Sequence, residues 1–395
     1  MRICRVATVP FFVAHHLKNQ ITATVAAGHE VVVVTSPEPS LDRLGRQMGA
    51  HIHPVPIVRK LSPLSDLCSL LALYRYFSEA RFDIVHSTTP KAGLLCAIAA
   101  FMARVPIRLH TFTGQPWMFV TSPLKWLARM ADRVIIRLNT RCYADSHSQA
   151  AYLVSQKIAG PDEIVVPGDG SLGGVDLVQF NPDSWRSRGD EIRRETGVPP
   201  GARIITYIGR ITKDKGISEL ISALGQLINR GMDVYLLLIG PFEPERDPLS
   251  EEVLRQIRQE ARIKVIGYST EPERYLSIST VFCLPSYREG FGNVIIEAAV
   301  MGIPSVATRI VGLVDAVVDG ETGILIQPRD VDGLAEALSR MLGDDSLRMK
   351  MGKAAQERAR SLFNAEIVNQ LLLDEYESLR RQSAALKNYT NSKIS

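Results

Sequence analysis

An arginine and a lysine in one short loop are the first candidates for chemistry in this sequence. Arg210 and Lys215 stand in the segment from Gly209 to Gly216, GRITKDKG, which follows the apolar run IITYI. A guanidinium offers a bidentate fork to an anion and an ammonium offers a point charge, so the pair suits a diphosphate. On spacing alone, a solvated loop with a Lys-Asp-Lys turn stays open as the alternative.

A second loop contains glycines that lead directly into a helical pattern. The segment YREGFGN begins at Tyr287 and precedes VIIEAAVMG, with Glu289 in the loop and Glu297 in the helical segment. Glycines let the backbone approach a ligand, and the unpaired N–H groups of a helix N-terminus bind phosphate. We therefore expect phosphate at Gly290 to Asn293, with Glu289 near a sugar hydroxyl and Glu297 near ribose. For each glutamate alone, an ordinary position favoured by the helix dipole is the alternative.

A third loop is a candidate contact for a nucleobase. Gly267 and Tyr268 follow the apolar run IKVI, and the earlier run VYLLLIG ends in Gly240. Backbone groups in such a loop can meet the edge of a base. A plain turn is the competing interpretation of the same residues.

The elements that must hold these loops are strands, because short apolar runs alternate with amphipathic segments along the whole chain. This alternation is typical of parallel α/β sheets, in which ligands collect at the carboxyl ends of the strands. The predicted strands are 2–9, 29–35, 51–57, 82–86, 107–112, 141–145, 163–166, 203–209, 233–239, 263–266, 281–285, 304–308 and 323–326. The predicted helices are 14–27, 64–79, 91–104, 122–138, 216–230, 293–301 and 331–342, and only helix is expected after 345.

A chain of 395 residues is too long for one ordinary core and suits two domains. The segment 177–200 contains Pro, Asp and Ser and interrupts the alternation, so it is the predicted linker. The predicted organisation is one Rossmann-like domain over 1–180, a second over 181–365, a crossing helix over 366–383 and a polar tail over 384–395.

The composition is that of a globular protein whose basic charge lies in its first half. Hydrophobic residues make up 46% of the chain and charged residues 22%, with no apolar run long enough to span a bilayer. The first 180 residues contain 18 Lys and Arg against 12 Asp and Glu. The start, MRICRVATVPFF, predicts a strand rather than a signal peptide, and the five scattered cysteines predict buried free thiols. We therefore expect a cytoplasmic protein.

The segment 101–141 combines basic and aromatic side chains. It contains seven basic residues and one acidic residue. Its regularly spaced cations are Lys125, Arg129, Arg133, Arg137 and Arg141, and its aromatic residues include Trp117, Phe119 and Trp126. This composition suits an anionic bilayer surface, with a solvated helix as the alternative. No nucleic-acid-binding motif accompanies the charge, so nucleic acid is not an expected partner.

The second half resembles the donor domain of the family 4 retaining glycosyltransferases, which have the GT-B fold. That fold consists of two Rossmann-like domains whose parallel sheets face each other across a cleft, with a C-terminal helix that packs back. The matching motifs are G-R-x-x-x-x-K-G from Gly209 to Gly216 and P-S-x-x-E-G-F-G-N-x-x-x-E from Pro285 to Glu297. The resemblance implies catalytic roles for Arg210, Lys215 and Glu289. The donor-binding residues that it implies are Gly209, Gly267, Tyr268, Gly290, Phe291, Gly292, Asn293 and Glu297.

The first half is similar to the acceptor domain of the same family, and most similar to bacterial capsule and O-antigen transferases that build lipid-linked sugars. The similar segments are HSTTPKAGLL at 86–95, TFTGQPW at 111–117 and GSLGGVDLVQF at 170–180. The acceptor-binding residues that the resemblance implies are Lys91, His110, Thr113, Gly114 and Gln115. Two features depart from the family: VPFFV replaces a glycine-rich loop after the first strand, and Thr113 stands where relatives often have a histidine.

The resemblance implies a retaining transfer, without metal or other cofactor, from a nucleotide sugar to a polyprenyl-diphosphate-linked saccharide at the inner face of the cell membrane. A UDP-hexose or UDP-N-acetylhexosamine is the expected donor, and GDP-mannose stays open. Two other functions also stay open: a GT-B nucleotide-sugar epimerase, and a catalytically silent nucleotide-sugar-binding partner of a membrane synthase. Asp330 and Asp332 have the D-x-D spacing of some metal sites, but the helical pattern that follows predicts an N-cap.

Overall fold

The computed structural model describes residues 1–39, 41–119, 123–245 and 247–392. The chain divides into two compact units. The first runs from Met1 to Gly174 and includes the C-terminal residues from Ala365 onward, and the second runs from Val175 to Asn364. The C-terminal helix, predicted as a separate element, thus belongs by its contacts to the first unit.

The first unit is built on a parallel sheet of seven strands. They are β1 (Arg2–Val6), β2 (Glu30–Thr35), β3 (His51–Pro54), β4 (Ile84–Thr88), β5 (Ile107–Phe112), β6 (Arg141–Ala144) and β7 (Ile164–Val165). Their order in the sheet is β3-β2-β1-β4-β5-β6-β7. The helices are α1 (Pro10–Phe12), a π-helical turn (Val13–Leu17), α2 (Lys18–Ala26), α3 (Leu41–Met48), α4 (Pro63–Ala80), α5 (Pro90–Met102), a 3-10 turn (Pro116–Phe119), α6 (Leu124–Leu138) and α7 (His147–Ser155).

Helices cover both faces of this sheet, which explains why its strands are apolar runs rather than alternating patterns. Cys4 and Val85 belong to one face and pack with α4 and α5. Ile3 and Ile84 belong to the other face and pack with the C-terminal helix, which spans Ala365–Ser392. Tyr376 of that helix is fully buried there.

The second unit is built on a parallel sheet of six strands. They are β8 (Arg203–Ile208), β9 (Val234–Ile239), β10 (Ile263–Gly267), β11 (Val281–Leu284), β12 (Ser305–Thr308) and β13 (Gly323–Ile326), in the order β10-β9-β8-β11-β12-β13. The helices are α8 (Gly189–Thr196), α9 (Ile217–Asn229), α10 (Glu251–Gln259), α11 (Pro272–Leu276), α12 (Asn293–Val300), α13 (Leu313–Ala316), α14 (Val331–Gly343) and α15 (Asp345–Leu362), and the C-terminal helix is α16. Three 3-10 turns lie at Pro182–Ser184, Arg186–Arg188 and Lys213–Lys215.

The predicted α/β class and all thirteen predicted strands are confirmed, and each predicted helix is present with small shifts at its ends. Several short helices were missed. One of them, α8, lies inside the predicted linker together with two 3-10 turns. It buries a single apolar side chain, Ile192, and therefore leaves no amphipathic period in the sequence.

Candidate functional site

The two charged loops of the second unit lie at the point where the strand order of its sheet reverses. The central strand β8 pairs with β9 on one side and with β11 on the other. In an open parallel sheet such a switch point opens a crevice at the carboxyl ends of the strands. Gly209 follows β8 and Pro285 follows β11. The fold therefore brings the loops after these two strands to the same place.

Glycine is required where these loops touch. Gly216 has φ +70°, and a Cβ added to it would lie 2.1 Å from the carbonyl oxygen of Pro285. The amide of Tyr287 donates to the carbonyl of Asp214 at 2.9 Å, which joins the same two loops. Any side chain at Gly216 would push the cationic loop away from the glycine-rich one.

The cations and carboxylates of this site form a connected cluster. Lys215 Nζ donates to Glu289 Oε1 at 2.5 Å, and this pair joins the two loops. Asp214 Oδ2 lies 3.6 Å from Arg210 Nη2 and 3.3 Å from Arg288 Nη2. Arg210 is also bonded through Nη1 to Glu243 Oε2 at 3.0 Å. The structure thus unites Arg210, Lys215 and Glu289, which the sequence selected as catalytic residues.

Asp214 is the acid that holds the arginines, and the sequence did not single it out. Burial by itself would raise the pKa of its carboxyl group. The Thr212 hydroxyl donates to Oδ1 at 2.6 Å, and the charges of Lys215, Arg210 and Arg288 lie nearby. Together these groups outweigh the effect of burial, so the pKa of the Asp214 carboxyl group lies below its usual value. Asp214 is therefore ionised at neutral pH.

Arg288 is a third cation at the site and was also missed as a candidate. Its only signal in the sequence is its position directly before Glu289. In the structure it is partly buried and shares the carboxylate of Asp214 with Arg210. Three cations near two strand ends have the charge and the donor groups to bind a doubly charged anion.

The glycine-rich loop leads into α12 as predicted. Gly292 is the N-cap of this helix with φ +91°, and a Cβ there would meet Leu313 Cδ2 at 2.5 Å. Gly312 lies against Gly290, and a Cβ added to Gly312 would be 2.5 Å from the carbonyl oxygen of Gly290. Phe291 is buried and packs edge-on against Phe363 with ring centroids 5.1 Å apart. Its side chain therefore anchors the loop from below and does not face a ligand.

Glu297 lies on α12 and has an unusual environment. Among the described residues, its partly buried carboxylate has no hydrogen-bond or ion-pair partner. Burial, with a smaller contribution from the neighbouring Glu273, raises its pKa to about 7. A carboxylate with this pKa changes its charge within the physiological range.

The third predicted loop lies beside the first. Gly267 ends β10 with φ +78°, and its carbonyl accepts from the amide of Gly240 at 2.8 Å. Gly240 in turn crosses Gly209 so closely that an added Cβ would lie 1.9 Å from the carbonyl oxygen of Gly209. Tyr268 is half exposed. The structure thus brings the ends of β8, β9 and β10 together as one edge.

The acceptor candidates lie at the corresponding edge of the first unit but differ in exposure. Thr113 and Gly114 are partly exposed directly after β5. Lys91 Nζ is bonded to Asp66 Oδ1 at 2.6 Å and to the Lys60 carbonyl. These are the candidates of the first unit that a ligand can reach.

His110 and Gln115 lie in the core instead. His110 is 1% exposed and shares a hydrogen bond with Ser87 Oγ at 2.9 Å. Burial lowers its pKa to about 3, so it is neutral at physiological pH. Gln115 accepts from Gln149 Nε2 at 3.3 Å, while its own Nε2 has no partner among the residues that the structure describes. Both side chains support the edge from beneath, which argues against direct contact with an acceptor.

A threonine pair marks the switch point between β1 and β4 in the first unit. The hydroxyls of Thr8 and Thr89 lie 2.7 Å apart. Thr89 has φ +78°, an unfavourable value for a β-branched residue. Such strain is found mostly at ligand sites. No sequence pattern indicates it, because threonine is ordinary in a loop.

Several side chains of the basic segment 101–141 have partners within the first unit; residues 120–122 of the segment lie outside the described residues. Trp117 is buried, and its Nε1 donates to Asp132 at 2.6 Å. Arg129 Nη2 donates to the Gln156 carbonyl at 2.6 Å, and Arg133 Nε to the Lys157 carbonyl at 3.0 Å. These arginines thus link α6 to the end of α7.

Exposed apolar residues lie at the start of α6, beside the partly exposed Lys125. They are Leu124, Trp126, Leu127 and Met130. Throughout the part of the chain that the structure describes, no helix is both long enough and apolar enough to cross a bilayer.

Asp330 Oδ1 accepts from the Gly333 amide at 2.8 Å, which confirms it as the N-cap of α14.

Each of the two units matches a family of known proteins. Residues 189–358 match the family described as glycosyl transferases group 1, and residues 13–169 match the glycosyl transferase 4-like domain. The capsular polysaccharide biosynthesis glycosyltransferase CapM of Staphylococcus aureus is 30% identical over 93% of this chain and 94% of its own. The UDP-Gal:alpha-D-GlcNAc-diphosphoundecaprenol alpha-1,3-galactosyltransferase of Escherichia coli is 28% identical over 82% and 83%.

Solved structures share the fold. A glycosyltransferase from Rickettsia africae has a TM-score of 0.78 at 20% identity, covering 96% of this chain and 98% of its own. Alr3699/HepE of Anabaena, in complex with UDP, has a TM-score of 0.78 at 21% identity, covering 96% and 100%.

Proposed function

Because the chain belongs to the family 4 glycosyltransferases of the GT-B fold, and is a hexosyltransferase, we propose that it transfers a sugar from a UDP-sugar to a polyprenyl-diphosphate-linked saccharide with retention of configuration. A UDP-hexose or UDP-N-acetylhexosamine is the proposed donor. The observation that carries the proposal is the cluster of Arg210, Lys215 and Arg288 at the switch point between β8 and β11.

The donor diphosphate takes the place of carboxylates around this cluster. Lys215 and Arg210 now face Glu289 and Asp214, and a bound diphosphate offers them more charge at the same edge. The start of α12 adds its positive helix end. As the bond between the anomeric carbon and the phosphate oxygen breaks, negative charge develops on the distal phosphate. Fixed cations stabilise that charge more in the transition state than in the ground state.

Retention requires the acceptor hydroxyl to attack from the face that the diphosphate leaves. The new bond joins the acceptor oxygen to the anomeric carbon, and the hydroxyl proton passes to an oxygen of the departing phosphate. The cations of the cluster provide the electrostatic stabilisation in this step, so a metal ion is not needed. Once the diphosphate has entered, Glu289 is placed to bind a hydroxyl of the donor sugar, and Glu297 to bind the ribose.

The names of two relatives support the proposed class of acceptor. The E. coli relative is named for an acceptor on diphosphoundecaprenol, and the S. aureus relative for capsular polysaccharide biosynthesis. We propose the same class of acceptor here, in bacterial surface polysaccharide synthesis at the inner face of the cell membrane. The acceptor saccharide contacts Thr113 and Gly114 in the first unit, at the same sheet edge as Thr8 and Thr89.

The test is transfer with a panel of labelled UDP-hexoses, UDP-N-acetylhexosamines and GDP-mannose, in EDTA, onto an undecaprenyl-diphosphate saccharide. Proton NMR of the product gives the anomeric configuration, which is expected to equal that of the donor. A thermal-shift screen selects the donor first, since a ligand at 100 times its Kd stabilises by roughly 2.7 kcal/mol. Sugar interconversion without acceptor would indicate an epimerase. Tight donor binding without transfer would indicate a silent partner.

A further inference from the structure

Four leucines before and along α4 form an exposed apolar surface on the first unit. Leu61 is 77% exposed and Leu64 is 82% exposed, and Leu67 and Leu71 continue the row along the helix with about half of each side chain exposed. The spacing of Leu64, Leu67 and Leu71 puts them on one side of α4. We call these four residues the leucine surface. Single exposed leucines are ordinary, but a contiguous row of this kind marks a contact with another body.

The opposite side of α4 already has its partners. Leu73 and Phe77 are buried in the core formed with α5 and the sheet. α4 is therefore held in place by one apolar stripe and shows a second one to its surroundings. Folding of the unit explains the first stripe but not the second.

The leucine surface lies at the carboxyl edge of the sheet, the edge that carries the acceptor candidates. α4 ends at Ala80 shortly before β4 begins, so its first turns point toward the carboxyl end of that strand. The bonds from Lys91, at the start of α5, to Asp66 and to the Lys60 carbonyl confirm this placement. The exposed apolar start of α6 belongs to the same edge, because α6 also ends just before its strand.

Basic residues border the leucine surface. Asp66 lies in the first turn of α4 beside these leucines and is paired with Lys91. Arg59 and Lys60 are exposed directly beside Leu61. Apolar side chains bordered by cations fit the interface of an anionic bilayer.

We propose that the leucine surface inserts into the interface of an anionic membrane and carries the first unit to its acceptor. The proposal rests on the lipid-linked acceptor of the proposed function, whose diphosphate lies at a bilayer surface. A second copy of the chain fits less well, because self-association through this surface would bring Arg59 and Lys60 of two copies together, and like charges repel. The arginines of α6 play a smaller part, since the Gln156 and Lys157 carbonyls already bind two of them.

The test is sedimentation with vesicles of phosphatidylethanolamine and phosphatidylglycerol, using the full chain and the variant Leu64→Gln/Leu67→Gln/Leu71→Gln. Glutamine keeps the helix propensity and the net charge, and exposed substitutions change stability little. We expect the variant to bind with a partition coefficient lower by about tenfold or more, because its buried apolar area is lost. Wild-type binding should decrease only partly in high salt, since apolar insertion is not screened.

The matched control is Met349→Gln/Ile367→Gln, which removes two exposed apolar residues elsewhere in the chain. It should bind vesicles as the wild type does. Equal vesicle binding by the leucine variant and the wild type would overturn the proposal, as would absence of wild-type binding. A wild-type dimer that the leucine variant converts to a monomer, with no change in vesicle binding, would assign the surface to a second copy instead.

Failure of this proposal can be told apart from failure of the proposed function. Transfer to a short-chain, water-soluble analogue of the acceptor needs no bilayer, so the leucine variant should catalyse it at the wild-type rate. If the wild type binds vesicles through the leucine surface but transfers no sugar to either acceptor, the proposed function is wrong and the membrane surface stands.

Discussion

The two sheets of this protein present opposite kinds of chemistry at equivalent edges. At the switch point of the second unit, Lys215 and Arg210 are bonded to carboxylates, and Arg288 adds a third cation. At the switch point of the first unit, the residues are Thr8 and Thr89, whose hydroxyls bond to each other. The groups at the switch point are ionised in the second unit and neutral in the first, where the ion pair of Lys91 with Asp66 belongs to the same edge.

The difference follows from what each edge has to stabilise under the proposed function. A leaving diphosphate gains negative charge during the reaction, so fixed cations near it lower the barrier. An acceptor hydroxyl is neutral when it binds, and a charge buried beside it would cost desolvation without a matching gain. The neutral His110 below the first edge agrees with this division. The same fold thus serves two tasks through the side chains at its strand ends.

The largest expected effect comes from removing a cation of the charged edge. Lys215→Ala and Arg210→Ala should each lower kcat by about 100-fold or more, the range for one preorganised electrostatic group. Steady-state transfer assays with the preferred donor measure the effect. Lys213→Ala is the matched control, because Lys213 is exposed in the same turn. Rates within about threefold of wild type for both variants would contradict the assignment.

A smaller effect is expected from Glu297, the carboxyl group of the second unit whose charge changes near neutral pH. Because the pKa is raised to about 7, the group is mostly protonated at pH 6 and mostly ionised at pH 8. If the ionised form binds the ribose, the donor KM of the wild type should rise about tenfold between pH 8 and pH 6. Glu297→Gln should have a high KM that does not change with pH.

The pH dependence of the Tm gives a second measure of the raised pKa of Glu297. A raised pKa means that the folded state binds this proton more tightly than the unfolded state, so its contribution to stability falls as the pH rises toward 7. The Tm difference between wild type and Glu297→Gln should follow that direction. Glu321→Gln, at an exposed position, is the control: its donor KM should change with pH as that of the wild type does, and its Tm difference from the wild type should not depend on pH. A wild-type KM independent of pH over this range would remove Glu297 from the ribose site.

The sequence predicted the strands and the charged loops well, because both depend on local patterns. Apolar runs such as YLLLI fold as central strands wherever helices cover both faces, and loops at their carboxyl ends must meet at the switch point. The topology and the family motif together predicted that the two loops lie close to each other, and the structure adds the ion pair of Lys215 with Glu289. The charged site was therefore within reach of the sequence.

Burial was not within reach, and it changed the interpretation of the first unit. Trp117 and His110 looked like surface or site residues, yet both are buried, because a strand end does not reveal which neighbours cover it. The arginines of α6 bind backbone carbonyls that only the fold brings near. The leucine surface was hidden for the same reason, since α4 has apolar residues on two sides and the sequence does not tell which side is buried.

The smallest effect on catalysis is expected from replacing His110. This replacement tests whether a group at the edge of the first unit changes its charge during the reaction. A Cβ on Gly93 would lie 2.3 Å from His110 Cε1, so Gly93→Ala should destabilise the chain by about 1–3 kcal/mol. In a His110→Ala background the same change should cost little, and urea unfolding of the four proteins gives the coupling.

Because the pKa of His110 is about 3, His110→Ala should leave the shape of the kcat profile between pH 5 and 8 unchanged. Loss of an acidic or basic limb in that profile would show that His110 titrates in the reaction, and the contrast between the two edges would then be one of degree.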